Sequence, residues 1–387
     1  MSQTLETPTQ IWDVVVVGGG AAGAAAAFHL ANGGRSVVVL EQQRFPRSKP
    51  CGGGMAASVQ RLFPFDLSPA VDSVIEQVRF SWCLADPVTA DLAGDAPFWI
   101  VRRSVLDAYL IEQAKAAGAT VVEGTKVVSA AREGGHWLVR TEAGTYRSRA
   151  VVIADGSGSQ LAAQQGLGPA KPRFASTVSV DLEGPVAEKH TAYFEFGLVR
   201  HGFCWAFPRE GGYSIGVGTF IGRDAADSDA VLSQLLPSLG FAADAGQRRS
   251  GQLRIWDGHH ALHGSGPTAG AVAVGDAASL CDPFLAEGLR PALLSGTRAA
   301  AALERWLGGD AVALEGYSAQ MKTEWGDSMA WGKRIAQVFY RLPKVGYQLG
   351  VKRPTAPQRI GQILSGEMGY GDIAQRVIKR LLFQRKS

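Results

Sequence analysis

The chain has 387 residues, 46% hydrophobic and 19% charged, with a formal charge of +4. That balance belongs to a folded globular protein of two domains or one large composite, and it excludes a disordered or fibrous chain. The opening residues carry no basic and apolar leader pattern, and no uninterrupted apolar run of roughly 20 residues follows, so a cytoplasmic protein without a spanning helix is expected.

The stretch "IWDVVVVGGGAAGAAAAFHLANGGRSVVVLEQ" predicts a buried parallel strand, a tight turn, an Ala-rich helix and a second strand, a βαβ unit starting near residue 12. Gly18, Gly20 and Gly23 fit G-x-G-x-x-G in that context, and Glu41 ends the next strand 18 residues beyond Gly23. The glycines permit the turn and the close approach of a pyrophosphate, the helix start favours its charge, and Glu41 can accept hydrogen bonds from ribose hydroxyls. A dinucleotide site is therefore expected.

A glycine-rich loop follows, "RSKPCGGGMAAS" over residues 47–58, then a short helical stretch around Met55 to Phe63. Three glycines in a row give up packing and cost backbone entropy, which suggests a main chain bent sharply against something flat and large. "FWIVRRSVLDAYLIEQAKAAGATVVEGTKV" predicts strand, helix and strand, and "HWLVRTEAGTYRSRAVVIADG" predicts antiparallel strands returning to a buried strand at Asp155-Gly156. Residues 174–220 alternate polar and apolar with many aromatics, as an antiparallel sheet would. Alternation puts Phe203, Trp205 and Phe207 on one strand face, either a cavity wall or ordinary sheet core. "GAVAVGDAASLCDPFLAEGLRPALLSGTRAAAALERWL" is a strand, a loop and a long helix, and from about residue 313 the pattern is helical, broken by Pro343, Pro354 and Pro357.

The cysteines Cys51, Cys83, Cys204 and Cys281 form no C-x-x-C pair, and His259, His260 and His263 lack carboxylates at metal-ligand spacing, so no metal site is expected and the histidines read as surface. His201 beside the aromatic strand reads as structural. From Lys333 onward twelve Lys and Arg stand against Glu367 and Asp372, leaving about −6 on everything before. A solvated helical face, a peripheral contact with anionic lipid and docking of an acidic electron donor such as ferredoxin all fit that basic region. No nucleic-acid motif accompanies it.

Several stretches together resemble the geranylgeranyl reductase family, flavoproteins of the p-hydroxybenzoate hydroxylase fold: GGGAAG (18–23), KPCGGG (49–54), RSVLD (103–107), GFCWAFP (202–208), GDAASLCDPFLAEGLRPAL (275–293) and LSGEMGYGD (364–372). The resemblance implies an α/β architecture: a Rossmann-type FAD-binding domain (1–80, 97–160, 265–310), an interleaved antiparallel β-sheet substrate domain (81–96, 161–264) and a helical basic C-terminal region (311–387).

For FAD the resemblance implies that Ala22 and Glu41 contact the adenosine half and that Val127 meets the adenine through its backbone. Arg103 would reach the phosphate and ribityl region and Asp276 the ribityl chain. Gly288 and Leu289 would offer N–H groups to the flavin ring, and Cys51, Gly52 and Gly54 would pack along it, with Cys51 catalytic or merely a small hydrophobe. A helix cap remains open for Asp276, a solvated arginine for Arg103 and a plain turn for Asp155-Gly156, whose usual downstream arginine is missing. Phe203, Trp205 and Phe207 would line the substrate cavity.

The activity so implied is reduction of C=C bonds in an isoprenoid lipid by hydride transfer from reduced flavin, with NADPH or ferredoxin as donor. The rivals are a flavin monooxygenase, a halogenase, an electron-transfer flavoprotein and a lipid carrier. The halogenase W-x-W-x-I-P motif is absent, because the stretch Phe203-Cys204-Trp205-Ala206-Phe207-Pro208 supplies one tryptophan of the two.

Overall fold

A computed structural model describes residues 10–92, 98–220, 226–353 and 355–376. Elements are numbered in chain order. The first sheet runs β8 (Thr120–Glu123), β2 (Val37–Glu41), β1 (Ile11–Val17), β11 (Thr145–Ile153), β10 (His136–Thr141) and β9 (Val127–Glu133), with β17 (Ala271–Ala273) also paired to β11. The pairings β8–β2, β2–β1, β1–β11 and β11–β17 are parallel; β11–β10–β9 is an antiparallel meander. The parallel strands are apolar on both faces because both are covered, and Val14 to Val16 and Val37 to Val39 are fully buried. Helices α1 (Ala21–Asn32), α2 (Arg103–Ala116) and α5 (Leu289–Leu307) pack with this sheet, α1 lying against both others.

The second sheet has the order β16 (Arg249–Ile255), β12 (Arg173–Glu183), β15 (Gly212–Thr219), β14 (Gly202–Arg209), β13 (Thr191–Phe196), β5 (Gln77–Trp82) and β6 (Ala85–Asp91). All neighbours are antiparallel except β13 and β5, which run parallel. One face of β14 carries Phe203, Trp205 and Phe207 into the main core. The other carries Cys204 and Ala206 into a second core beneath α4 (Ala226–Ser238), closed by Leu232, Leu235 and Leu236. A third, small sheet is β3 (Gly54–Ala56), β7 (Phe98–Val101) and β4 (Val71–Ile75).

The short helical stretch expected around Met55 to Phe63 forms as a 3-10 helix over Ala57–Leu62, starting late because Gly54 to Ala56 pair with β7. Sheet pairing takes the residues that would have opened the helix.

The remaining helices are the short α3 (Leu161–Gln164) and the C-terminal α6 (Ala313–Met321), α7 (Asp327–Arg341), α8 (Pro343–Gly346) and α9 (Ala356–Leu364). Wider π turns at Lys322–Gly326 and Tyr347–Val351 join α6 to α7 and extend α8. Pro354 and the basic residues Lys379, Arg380, Arg385 and Lys386 lie outside the described residues. Among the described residues no helix is long and apolar enough to cross a membrane.

Candidate active site

Two cavities joined end to end run from the β1–α1 turn to the inner face of the second sheet, sharing Gly20, Lys49, Pro50, Ala154 and Gly156. The outer one encloses about 1860 Å³ and the inner one about 1140 Å³, both including open solvent.

The outer cavity begins where β1 ends. Gly18 turns the chain, and Gly20 caps α1 without any side-chain hydrogen bond, so the first N–H groups of the helix remain free to receive an anion. Ala22 lines the inner cavity, and Gly23 sits against the carbonyl of Gly18, where a Cβ would come within 1.9 Å. Glu41 is buried at the end of β2. Its Oε2 accepts the Gly19 N–H at 2.8 Å and its Oε1 accepts the Gln43 N–H at 3.0 Å, with Arg47 at 3.6 Å. It thus pins the glycine turn, and each oxygen keeps a second lone pair for a hydroxyl. Val127, at the start of β9, lines the same cavity.

Asp155 and Gly156 close this cavity from the end of β11. Burial raises the Asp155 pKa, against hydrogen bonding from Ser159 and the charge of Arg254, and its Oδ1 has no partner among the described residues. Arg254 comes from β16 and donates to the carbonyls of Ser157, at 2.7 Å, and of Ser159. An arginine does attend this turn, then, though from a strand far along the chain.

At the junction stands a buried ion-pair group. Arg103, the first residue of α2, forks onto Asp107 at 2.9 and 2.8 Å, and Arg47 reaches the same carboxylate at 3.2 Å. Burial alone would lower the Arg103 pKa, but the charge of Asp107 and the hydrogen bonds to its carboxylate outweigh it and hold the guanidinium firmly protonated. Arg103 is not a solvated surface arginine. Asp276 faces Lys49 Nζ at 3.4 Å and lies beside the start of α5, where Gly288 is an N-cap without side-chain partner and Leu289 follows.

The inner cavity is where the Cys51–Gly54 loop meets the aromatic strand. Gly53 has φ +85°, and a Cβ there would sit 2.1 Å from the Val101 carbonyl, so only glycine lets the loop lie flat on β7. Cys51 is half-buried, its Sγ accepting the Gly53 N–H at 3.3 Å. Across the gap, a Cβ on Gly52 would meet Trp205 Nε1 at 3.0 Å and the Phe207 ring at 3.1 Å. Phe194, Phe203 and Phe220 continue the wall, with centroids 5.2 Å apart for Phe194–Phe207 and for Phe203–Phe220. Trp205 fits because its cross-strand partner is Gly216, where a Cβ would intrude to 2.2 Å from the indole. The buried Trp205 N–H has no acceptor among the described residues.

Every residue named from the sequence for cofactor or substrate lies along these cavities or in the turn that forms them. His201 does not line either cavity; its Nδ1 meets the Tyr340 carbonyl at 2.8 Å. His259 and His260 each face one carboxylate, Asp327 at 3.4 Å and Asp257 at 3.0 Å, and His263 is half-buried against Ser318. No cluster suited to a metal ion occurs among the described residues.

Sequence reasoning missed a buried acid group at the inner cavity. Glu287 lies 7% exposed, with Oε2 2.6 Å from Arg290 Nη2 and Oε1 without a hydrogen-bond partner among the described residues. Burial pushes its pKa up to about 7; Arg290 and the Ala56 backbone oppose the rise and Asp282 adds to it. Asp282, fully buried, accepts the Phe284 and Leu285 N–H groups at 2.6 and 3.0 Å and the Tyr370 hydroxyl at 2.6 Å.

The trough suits an extended dinucleotide bearing a flat ring system. A free helix N-terminus and the buried Glu41 carboxylate stand at one end, a second helix N-terminus and a glycine loop at the other, and an unfilled indole N–H beyond. These features fit FAD. The family described as FAD dependent oxidoreductase matches residues 95–297, and a second family of the same description matches residues 13–170. A menaquinone reductase of Mycolicibacterium smegmatis is 30% identical over 323 residues, 74% of this chain and 75% of that protein. A chloroplastic geranylgeranyl diphosphate reductase of Oryza sativa subsp. japonica is 29% identical over 49% of this chain and 45% of its own.

Among solved structures, a geranylgeranyl bacteriochlorophyll reductase-like protein from Thermoplasma acidophilum superposes with a TM-score of 0.77 at 20% identity, covering 92% of each chain. A flavin-dependent brominase variant gives 0.71 at 20% identity over 96% of this chain and 99% of its own. The chain belongs to the FAD-dependent oxidoreductases and has the p-hydroxybenzoate hydroxylase-like fold.

Proposed function

We propose that this oxidoreductase reduces carbon–carbon double bonds in an isoprenoid chain. The observation that carries the reading is the inner cavity: its far wall is Phe194, Phe203, Trp205, Phe207 and Phe220, and its near wall is the Cys51–Gly54 loop. An aromatic slot of this kind suits a greasy polyene better than a sugar or a nucleotide. The relatives named for menaquinone and geranylgeranyl diphosphate, both isoprenoid molecules, support the same class.

FAD, when bound and reduced, supplies the hydride. The protein positions the chain, excludes water and holds the proton that completes the reduction. An isolated trisubstituted alkene accepts hydride poorly, so the proton must arrive early, and a placed acid is required. Cys51 is the acid proposed from the sequence, and it stands opposite the aromatic wall. Glu287 lines the same cavity, and burial pushes its pKa up to about 7, which suits it to carry a proton near neutral pH, so it joins Cys51 as a second candidate. Glu41 and Val127 would hold the adenosine half, and Gly18, Gly20 and Gly23 would form the turn that admits the pyrophosphate. Arg103, Asp276, Gly288, Leu289 and the Cys51–Gly54 loop would hold the remainder, with Ala22, expected at the adenosine half, lining the inner cavity instead. NADPH or ferredoxin would deliver the electrons.

The test is product analysis under strict anaerobiosis with prenyl diphosphates, prenylated quinones and prenyl alcohols. The reductase reading expects two hydrogens gained per double bond. A product containing oxygen from labelled dioxygen, formed only in air, would instead establish a monooxygenase, the rival that the shared fold keeps open. Oxidation of the reduced protein by quinone without change to the prenyl tail would establish electron transfer.

A further inference from the structure

Four of the eleven exposed large apolar side chains among the described residues fall within twelve positions of the C-terminal helices: Val338 at 70% exposure, Leu342 at 60%, Val345 at 50% and Leu349 at 56%. All four are exposed along the path from α7 through α8 into the following π turn, with Leu342 at the break between the two helices. Basic residues flank them. Arg334, Arg341, Lys344, Lys352 and Arg353 are all exposed, and the sequence has no acid between Lys333 and Glu367. Lys352 pairs with Asp86, whereas Arg341, Lys344 and Arg353 make no ion pair among the described residues.

The turn between β5 and β6 extends the patch. Leu84 at its tip is 42% exposed, Asp86 accepts from Gln348 at 3.1 Å and pairs with Lys352, and Trp82 lies 5.8 Å from the Tyr347 ring. The opposite side of α7 is buried. Phe339 packs on Phe196 at 5.3 Å and Tyr340 on Phe220 at 5.6 Å, and Phe220 lines the inner cavity. The end of α7 thus backs onto the aromatic wall, and Val338 on its outer side leads into the exposed apolar residues of the segment that follows, set among cations.

We infer that the face formed by Val338, Leu342, Val345, Leu349 and the Leu84 tip docks on the surface of an anionic lipid bilayer. A water-exposed stripe of this composition is costly unless something covers it. Apolar side chains at the depth of the acyl boundary, with Arg and Lys at the level of the headgroups, match the two layers of such a surface. The inference rests on exposure and charge, so it stands whichever substrate occupies the cavity.

The test uses the full-length, flavin-loaded protein and flotation with vesicles of phosphatidylcholine alone or mixed with phosphatidylglycerol. Wild type should float with the anionic vesicles, less at high salt, and remain in solution with the neutral ones. The variant Val338→Ser/Leu342→Ser/Val345→Ser/Leu349→Ser should lose about tenfold or more of its partitioning while keeping its flavin content and thermal midpoint, since these side chains are exposed. Arg341→Gln/Lys344→Gln/Arg353→Gln should lose affinity together with the salt dependence.

Three results would overturn the inference: no binding of wild type to anionic vesicles at low salt, undiminished binding of the serine variant, or a wild-type dimer that the serine variant dissolves. The last would make the stripe a self-association face. Because the readout is flotation, failure here leaves the reductase reading untouched, and failure of the reductase assay leaves this one intact.

Discussion

Replacing Glu287 by Gln tests the inner acid group without any substrate. The carboxyl is 7% exposed, and burial, the largest influence, raises its pKa from 4.5 to about 7. A shift of that size corresponds to about 3 kcal/mol. The sign follows from which state binds the proton more tightly. Below about pH 4.5 the group is protonated both folded and unfolded and costs nothing. As pH rises towards 7 the unfolded chain releases its proton first, so stability falls, and above 7 the loss is complete. Glutamine cannot ionise. The stability of Glu287→Gln relative to wild type should therefore climb by about 3 kcal/mol between pH 4.5 and 8 and stay level beyond.

Losing the Arg290 contact displaces that difference curve vertically, and Asp282, present in both proteins, largely cancels. For a chain of this length the change amounts to about 4 °C in melting temperature. Calorimetry of the flavin-free protein at several pH values reads it directly. Parallel melting curves for the two proteins across that range would show that Glu287 has an ordinary carboxyl pKa and would remove it as a proton source.

Other perturbations reach other parts of the site. Arg103→Met leaves the fully buried Asp107 carboxylate with Arg47 alone at 3.2 Å, which should cost about 3 to 5 kcal/mol and lower the flavin-to-protein ratio on purification; an unchanged melting point would refute the buried-pair account. Gly216→Ala places a methyl 2.2 Å from the Trp205 indole and should cost about 1 to 3 kcal/mol, with Trp205→Phe in the same chain restoring part of the loss because phenylalanine lacks the outer ring. Failure of that rescue would mean the strain lies elsewhere. Cys51→Ser should slow turnover with the flavin spectrum altered but flavin retained, and wild-type turnover with an unaltered spectrum would strip Cys51 of its proposed role.

The nucleotide end was legible because its chemistry is local. Gly18, Gly20, Gly23 and Glu41 fall within one βαβ unit, where spacing in sequence fixes spacing in the fold. The aromatic strand was half legible. Alternation put Phe203, Trp205 and Phe207 on one face, but the opposite residues Cys204 and Ala206 are buried too, under α4, so periodicity could not tell cavity wall from core. Arg103 was named through the RSVLD stretch, yet nothing local announced its burial or its pairing with Asp107. The rest depends on long-range closure. Tyr370 reaches Asp282 across 88 residues and Arg254 reaches Ser157 across 97, with no motif linking either pair. The helical stretch around Met55 to Phe63 starts late for a related reason, since strand pairing with Trp99 and Phe98, far along the chain, takes Met55 and Ala56.

The decisive measurement is the reoxidation of the photoreduced, flavin-loaded protein in the strict absence of oxygen as prenyl lipids are added one at a time. The account predicts that at least one isoprenoid chain restores the oxidised absorbance in step with loss of its own double bonds, and that a saturated analogue of the same chain does not. Reoxidation by air alone, or by quinone with every prenyl double bond intact, would contradict it.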